Sequence, residues 1–354
     1  MTKSKKLSVA IVGLEHLHPR LYMPLFTACA DTEVVIVCES RDDLREAFCN
    51  DYKVRGYSKL SDMLKNEQPD IAAIFLPHVE CADAAVACAK RGIHLMVEKP
   101  IAASSRDAGR IAKAAEVNKV KFTTGYVWRL HPAAHEIKRL IESGAVGEIV
   151  GAEGRFAAGR IERYIVGNSP WMLERAKSGG GPMCNLGVHW IDLFRWLFAE
   201  DVVAVCGSNV KVSRKYDIED NSFALMRFES GAIASLDISY IVPDSFPYGR
   251  DLYIGIRGTC GIISWAPAYE GEKDVIFVCS DAPSFAGAGK RHISVELDPV
   301  KGYSGWMGKE YVESFVSAVL KNTPVPIPGE EGIGNLKIVE AIYKADRQKK
   351  WVKV

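Results

Sequence analysis

The sequence Ile93-His94-Leu95-Met96-Val97-Glu98-Lys99-Pro100 carries the strongest clue to the architecture of this chain. Its first five residues form an apolar run typical of a short buried strand, and a helical pattern begins near Ser104 and ends near Asn118. A glutamate and a lysine directly after such a strand stand where open α/β sheets bind their ligands. Taken alone, the same two residues also fit an ordinary ion pair beside a turn proline.

The first third of the chain alternates strand and helix patterns. Continuous apolar runs predict strands at residues 7–12, 34–38, 71–76, 93–97 and 121–124. Helical patterns separate them at residues 22–29, 41–49, 60–65, 81–91 and 106–118. Unbroken apolar strands that alternate with helices predict an α/β fold whose parallel sheet is covered on both faces. We expect this first domain to span residues 1–124.

From about Gly147 the pattern changes, which predicts a second domain over residues 125–354. Strands with alternating polarity follow one another at residues 149–156, 202–212, 221–229, 232–240, 252–258 and 261–265. Helices are predicted at residues 131–143, 183–198, 311–320 and 334–344, and a loop at residues 280–290. This order predicts an α+β domain with a large antiparallel or mixed sheet.

Composition excludes several classes of protein. The chain has 354 residues, with 45 Lys+Arg against 44 Asp+Glu, so no basic field for nucleic acid is expected. No apolar run approaches the length of a membrane span, and no signal-peptide pattern opens the chain. The nine cysteines contain no CxxC pair, which argues against a zinc site or a disulfide framework. We expect a cytoplasmic protein without a metal site.

The turn after the first predicted strand reads Gly13-Leu14-Glu15-His16-Leu17-His18. A dinucleotide fold expects GxGxxG here, because glycines allow a tight turn and close approach of the backbone to the pyrophosphate. Only Gly13 fits this pattern. A carboxylate at Glu15 would repel a pyrophosphate unless it turned away. His16 and His18 can donate ring N–H groups to phosphates or cap the following helix.

The second predicted strand is followed by Glu39-Ser40-Arg41, which bears on the choice of cofactor. An acidic residue at this place accepts hydrogen bonds from the adenosine ribose and disfavours a 2′-phosphate. Glu39 therefore predicts NAD, with NADP less favoured. Ser40 and Arg41 are the residue types that an NADP site uses, so the two residues keep that alternative open.

Together these patterns resemble the glucose–fructose oxidoreductase/inositol dehydrogenase/MocA family over nearly the whole chain. The resemblance is carried by Glu98-Lys99-Pro100, Leu76-Pro77 followed by Cys81-Ala82, the stretch 91–102, and Gly179-Gly180-Gly181 followed by Asn185, His189 and Asp192. Two departures are plain. Glu15 and His18 replace family glycines, and Asn185 stands where the family usually has aspartate.

The resemblance implies an N-terminal Rossmann domain and a C-terminal domain for substrate binding and oligomerisation. Leu76, Pro77, Glu98 and Lys99 would then bind the cofactor. It also implies hydride transfer at a carbinol carbon of a sugar, cyclitol or glycoside, in homodimers or homotetramers built on the C-terminal sheet. Part of this family instead uses tightly held NAD transiently during elimination or glycoside cleavage, which is the alternative function.

The polar residues that follow the glycine triplet lie on a predicted helix that is apolar nearly all round. Asn185, His189 and Asp192 step by 4 and 3, which predicts that they share one face, and polar groups on a buried helix are paired or functional. Alcohol oxidation needs a group that removes the hydroxyl proton, and His189 is the natural base. Lys99 would hydrogen-bond the same oxygen, and Asn185 would orient the substrate. We expect these three residues to be catalytic.

Aromatic and charged side chains near the start of the second domain suit a carbohydrate. Tyr126 and Arg129 combine an aromatic face with a charged fork, which fits a glycoside or a sugar acid. Trp171 is a further candidate for the substrate site, whereas Trp128 is interpreted as packing. A third reading, a nucleotide-binding sensor without catalysis, is disfavoured because a sensor has no need of both Lys99 and His189.

Overall fold

The computed structural model describes residues 6–268 and 272–354. The strands are β1 (Leu7–Val12), β2 (Thr32–Cys38), β3 (Arg55–Tyr57), β4 (Ile71–Ile74), β5 (His94–Val97), β6 (Phe122–Thr124), β7 (Ile149–Ala158), β8 (Val202–Val210), β9 (Asn221–Phe228), β10 (Ile233–Ser239), β11 (Arg250–Gly258), β12 (Gly261–Trp265), β13 (Asp274–Ser280), β14 (Lys290–Val295) and β15 (Val352–Lys353). The helices are α1 (Pro19–Ala28), α2 (Asp42–Tyr52), α3 (Leu60–Asn66), α4 (His78–Lys90), α5 (Ser105–Val117), α6 (Pro132–Glu142), α7 (Glu162–Val166), α8 (Arg175–Ser178), α9 (Val188–Phe198), α10 (Gly305–Lys321) and α11 (Glu331–Gln348).

The chain divides into two compact units. The first comprises the residues through Val127 together with Tyr164–Gly179 and Val300–Gly334. The second comprises Trp128–Arg163, Gly180–Pro299 and Asn335–Val354. The first unit therefore includes two segments that lie far along the chain from the predicted N-terminal domain.

The first unit is built on a parallel sheet. Its six described strands have the order β3-β2-β1-β4-β5-β6, which is the order of a Rossmann fold. Strands β1 and β4 are apolar and buried along most of their length, because helices cover both faces of such a sheet. The strand order reverses between β1 and β4, and ligands of open α/β sheets bind outside the carboxyl ends of the strands at that point.

The second unit is built on a mixed sheet. In the described part of the chain this sheet has nine strands in the order β14-β13-β12-β11-β7-β10-β9-β8-β15. Only the pair of β7 and β10 is parallel among these strands. Strand β9 shows strict alternation of buried and exposed residues, as expected when one face packs on a core and the other faces outward.

The predicted α/β class, with a Rossmann sheet and a mixed sheet, is confirmed. Four strands were missed: β3, β13, β14 and β15. Strands β3 and β14 are partly exposed and polar, so they lack the apolar runs that carry the prediction. The predicted loop at residues 280–290 lies between β13 and β14 and contains a short 3-10 turn at Pro283–Phe285.

Three further observations concern the described residues. Each helix in residues 6–268 and 272–354 is too short or too polar to cross a membrane. The nine cysteines carry free thiols. Within the same ranges, His, Cys, Asp and Glu side chains nowhere gather in groups of three that would suit a metal ion.

Candidate active site

The turn between β1 and α1 requires its single glycine. Gly13 has a φ of +91°, and a Cβ there would lie 2.8 Å from the Phe75 carbonyl oxygen and 2.9 Å from Leu76 Cδ2. Phe75 and Leu76 follow β4, so the turn lies directly against the neighbouring strand end. The Leu14 N–H donates to Glu39 Oε2 at 2.6 Å. The acidic residue after β2 therefore also holds the turn in place.

Two buried histidines in the first unit have defined tautomers. His16 Nδ1 accepts the His18 N–H at 3.1 Å, so the ring proton of His16 is on Nε2, which is buried and has no hydrogen-bond partner. His78 Nδ1 lies 2.7 Å from the Ser178 carbonyl oxygen and donates to it. Burial lowers the pKa of His78 to about 4 and holds the pKa of His16 well below its ordinary value, so both rings are neutral near pH 7.

His16 and His18 make different contacts at the start of α1. The His16 ring accepts the amide of the residue before α1, whereas the His18 side chain makes no cap hydrogen bond to that helix. The Nε2–H group of His16 remains as an unused donor beside the turn. Accepting the His18 N–H and donating to a phosphate are compatible for His16, because they use different ring nitrogens.

Glu98 and Lys99 follow β5 and are buried, with exposed fractions of 5% and 3%. The Lys99 N–H donates to Glu98 Oε1 at 3.1 Å, and His18 Nδ1 lies 3.3 Å from Glu98 Oε2. Burial raises the pKa of Glu98, and the nearby His16 and Lys99 oppose this shift. The Lys99–Pro100 peptide bond is cis. The lysine side chain is therefore buried at the carboxyl edge of the parallel sheet.

The segment after β2 is held by several carboxylates. Glu39 Oε1 accepts the Arg41 N–H at 2.8 Å and the Ser40 hydroxyl at 3.3 Å. The Arg41 guanidinium donates to Asp43 at 2.6 and 3.1 Å and to Glu15 Oε1 at 3.3 Å. The Glu15 carboxylate is therefore engaged by Arg41.

Trp171 belongs to the first unit and contacts the phosphate turn. Its Nε1–H donates to the Glu15 carbonyl oxygen. Its ring lies 4.8 Å from that of His78 in an edge-on arrangement and 5.9 Å from that of His16. The segment that carries Trp171 thus packs on the turn, and a substrate role for Trp171 stays a prediction.

Asn185 and His189 lie in the second unit, Asn185 in the turn just before α9 and His189 in the first turn of α9. Residues Met183–Gly187 form a π-helical turn, so the α-helical spacing assumed from Asn185 to His189 is not kept. Asn185 Nδ2 donates to the Tyr240 hydroxyl at 2.9 Å. The His189 ring stacks on Phe156 at 5.8 Å. Tyr240 was missed by the sequence analysis, because a tyrosine after an alternating strand carries no distinctive motif.

The glycine triplet before this turn serves close packing. A Cβ on Gly181 would collide with the Glu219 carbonyl oxygen. The Gly181 N–H donates to the Glu219 carboxylate at 3.0 Å, and the Tyr343 hydroxyl donates to the same oxygen at 2.5 Å. These bonds fix the entry to α9 from three separate parts of the second unit.

Arg129 is bound within the second unit. Its guanidinium makes a bidentate pair with Asp192 at 2.6 and 2.7 Å, and Asn335 Nδ2 donates to the same carboxylate at 2.9 Å. Arg129 and Asp192 have exposed fractions of 7% and 1%. Trp128 packs against Trp190 and Trp265, as the packing interpretation expects. Tyr126, in the first unit, is buried, and its substrate role stays a prediction.

The structure brings together ten of the predicted site residues at the carboxyl edge of the parallel sheet. They are Gly13, His16, His18, Glu39, Ser40, Arg41, Leu76, Pro77, Glu98 and Lys99. His78 belongs with them but was missed, although it directly follows the predicted pair Leu76-Pro77. A cavity of about 210 Å³ borders the turn, lined by residues that include Leu14, His16 and Arg20.

Comparison with known proteins defines the class. Residues 7–126 match the oxidoreductase family model for the NAD-binding Rossmann fold, and residues 138–354 match the model for its C-terminal alpha/beta domain. The chain therefore belongs to the glucose–fructose oxidoreductase/inositol dehydrogenase/MocA family, as the sequence predicts. It is an NAD(P)-dependent oxidoreductase that acts on CH–OH groups.

Several relatives have named activities. Levoglucosan dehydrogenase of Pseudarthrobacter phenanthrenivorans is 24% identical over 81% of this chain and 81% of its own. The NADP-dependent D-xylose 1-dehydrogenase of Haloarcula marismortui is 24% identical over 80% of this chain and 72% of its own. Among solved structures, levoglucosan dehydrogenase in complex with NADH and levoglucosan has a TM-score of 0.82 and 20% identity, over 99% of both chains.

The residues of the first unit fit a dinucleotide. The buried Nε2–H of His16 is a donor without a partner beside the turn where such folds hold phosphates. Glu39 stands at the place where an acidic residue receives ribose hydroxyls, and each of its oxygens can accept more than one hydrogen bond. Gly13 leaves room for the tight turn. These three features suit a dinucleotide at this edge of the sheet, where Glu15 and His18 replace the other two glycines of the motif.

Proposed function

We propose that this protein is an NAD-dependent dehydrogenase that oxidises a carbinol carbon of a sugar, cyclitol or glycoside. The buried Lys99, placed beside Glu98 at the carboxyl end of β5, is the observation that carries the proposal. A desolvated lysine is expensive to bury, so its retention at the ligand edge favours a role in charge stabilisation. The carbohydrate activities of the relatives support this substrate class.

We assign the proton chemistry to two side chains. His189 removes the hydroxyl proton of the substrate, since a neutral imidazole is a suitable base near pH 7. Lys99 donates a hydrogen bond to the same oxygen and stabilises the negative charge that develops on it. NAD, when bound, supplies the acceptor for the hydride from the carbinol carbon. Asn185 orients the substrate, and its hydrogen bond to the Tyr240 hydroxyl holds the Asn185 amide in position.

The cofactor preference that we propose is NAD over NADP. Glu39 supports it, because a 2′-phosphate beside this carboxylate would meet like-charge repulsion. The carboxylate is kept in place by the amides of Leu14 and Arg41. A kcat/KM for NADP above that for NAD would contradict this part of the proposal.

The decisive experiment replaces Lys99 by methionine, which keeps most of the apolar stem and removes the charge. We expect Lys99→Met to lower kcat by roughly 100-fold or more while NAD binding stays nearly intact. Lys90→Met, an exposed lysine at the end of α4, is the matched control and should leave kcat unchanged. Retained turnover in Lys99→Met would refute the catalytic role.

The substrate class is tested by a screen of sugars, cyclitols and glycosides with NAD and NADP. Net formation of reduced nicotinamide, followed by its near-ultraviolet absorbance, supports the dehydrogenase. Co-purified NAD that is reduced and re-oxidised without net change would favour the alternative, an elimination or glycoside-cleaving enzyme that uses NAD transiently. The packing of Trp171 on the phosphate turn is compatible with such retention.

We further propose that the open face of the mixed sheet joins copies of this chain into dimers or tetramers. Phe223 and Leu225 on this face are 45% and 38% exposed, and Trp351 beside them is 39% exposed. A depression of about 740 Å³ lies among these side chains. Charged side chains such as Arg155 and Asp237 also line the depression, and this mixture of apolar and polar groups is typical of protein interfaces.

A further inference from the structure

We infer that Glu15 is a specificity-determining residue of the cofactor site: it weakens NADP binding by holding the Arg41 guanidinium. This inference rests on the proposed NAD-dependent function and adds to it a residue that stands where the fold usually has glycine. The role is carried by the geometry of the β1–α1 and β2–α2 connections, which both belong to the first unit.

Glu15 is held in a defined position within its turn. The Trp171 Nε1–H donates to its carbonyl oxygen, and the adjacent Leu14 N–H is tied to Glu39 Oε2 at 2.6 Å. Its carboxylate reaches Arg41 Nη1 at 3.3 Å, across the space between the two connections. The side chain is 33% exposed, so solvent screens this pair only in part.

Arg41 is the residue that a 2′-phosphate would need. An arginine just after the second strand is the usual partner of that phosphate. Here its Nε and Nη2 donate to Asp43, and its Nη1 donates to Glu15. The side-chain hydrogen bonds to Asp43 and then Glu15 raise the pKa of Arg41. Two carboxylates thus balance one guanidinium, and they leave no net positive charge for a phosphate.

A 2′-phosphate would therefore meet a negative environment. Glu39, Glu15 and Asp43 carry three negative charges against the positive charge of Arg41. The nearby Arg45, which donates to the Glu39 carbonyl oxygen, is paired with Asp42. A phosphate monoester adds about −1.5 to −2 charges at pH 7. NADP could be bound through Arg41 only after the pair with Glu15 breaks. Neutralising Glu15 removes that requirement, whereas NAD, which has no 2′-phosphate, gains nothing from it.

The test measures dissociation constants of NAD and NADP by isothermal titration calorimetry, without turnover. The variants are Glu15→Gln, Arg41→Met and the double variant, with Glu33→Gln as control. Glu33 is exposed and lies toward the amino end of β2, so its change in charge is the same but remote from the site. We expect Glu15→Gln to tighten NADP binding about fivefold, which is the scale of one partly exposed ion pair.

The outcomes separate the inference from the function on which it rests. NAD affinity should change less than twofold in Glu15→Gln, and Glu33→Gln should leave both affinities unchanged. The gain in NADP binding should disappear in the Arg41→Met background, because it acts through the freed guanidinium. A gain that persists without Arg41, or no gain at all, overturns the inference while NAD binding by the wild type still upholds the function. A wild type that binds neither dinucleotide overturns both.

Discussion

Replacing Asp192 by asparagine should destabilise the protein strongly. The Asp192 carboxylate is 1% exposed and receives two hydrogen bonds from Arg129 and one from Asn335. Asparagine keeps the shape of the side chain but removes its charge, so the buried guanidinium of Arg129 loses its counterion. Breaking a buried ion pair in this way costs about 3–5 kcal/mol. That loss lowers the equilibrium constant for folding at least about 100-fold.

The chain offers a matched control for this prediction. Arg139 and Glu136 also form a bidentate pair, at 2.7 and 2.6 Å, but the Arg139 side chain is 62% exposed. Glu136→Gln should therefore cost less than about 1 kcal/mol. Both variants replace the carboxylate of a bidentate pair by an amide, so the difference between them reports burial together with the additional hydrogen bond from Asn335.

Urea titration followed by tryptophan fluorescence measures both losses, since Trp128, Trp190 and Trp265 pack together in the same unit as Asp192. If the free energy of unfolding falls no more in Asp192→Asn than in Glu136→Gln, the stabilising role of the buried pair is refuted. A third variant, Arg129→Met, tests the predicted substrate role of Arg129. If Arg129 binds substrate, Arg129→Met raises KM in material that is still folded. If its role is structural alone, stability falls and KM does not change.

Three further predictions follow from the remaining geometry. The pKa of His78 is about 4 in the folded protein and 6.5 for a free ring, so between these values the unfolded chain binds more protons than the folded chain. The free energy of unfolding should therefore fall by up to about 3 kcal/mol as the pH drops from 6.5 to 4. If the urea midpoint of a His78→Asn variant falls as steeply over this range, the prediction is contradicted. Asn185→Asp should move the acidic limb of the kcat/KM profile to higher pH, because a carboxylate favours the protonated form of His189; an unmoved limb in a folded variant would mean that Asn185 does not face the chemistry. Leu225→Glu on the open sheet face should shift light-scattering mass toward the monomer, whereas Val117→Glu, on an exposed helix end of the other unit, should not; equal masses for both variants would place the interface elsewhere.

Much of the first unit was predictable because its signals are local. Buried parallel strands such as β1 and β4 appear in the sequence as apolar runs, and their alternation with helices predicts a parallel sheet covered on both faces. The residues at the carboxyl edge, including Gly13, Glu39 and Lys99, could be named from their places after these runs. Strand β3 was missed because an edge strand of three exposed or half-buried residues has no such run.

The contacts between distant residues could not be predicted. The segment Tyr164–Gly179 belongs to the first unit through contacts such as the bond from Trp171 to the Glu15 carbonyl oxygen, more than a hundred residues away. The bidentate pair of Arg129 with Asp192 is equally non-local. The π turn at Met183–Gly187 changes the register ahead of α9, and no propensity rule places such a turn.

Each residue that departs from the family pattern has a partner in this chain. Glu15 pairs with Arg41, His18 lies 3.3 Å from the buried Glu98, and Asn185 donates to Tyr240. Restoring the family residue at one of these positions alone therefore removes or reverses the contact that its partner makes now. Glycine at His18 would take the imidazole away from a buried carboxylate, which then has one fewer polar neighbour to offset its desolvation. Aspartate at Asn185 would require the Tyr240 hydroxyl to become the donor. Glu15 and His18 in the turn, and Asn185 ahead of α9, are thus each coupled to a second residue. An experiment that restores the family residue should therefore also vary that second residue.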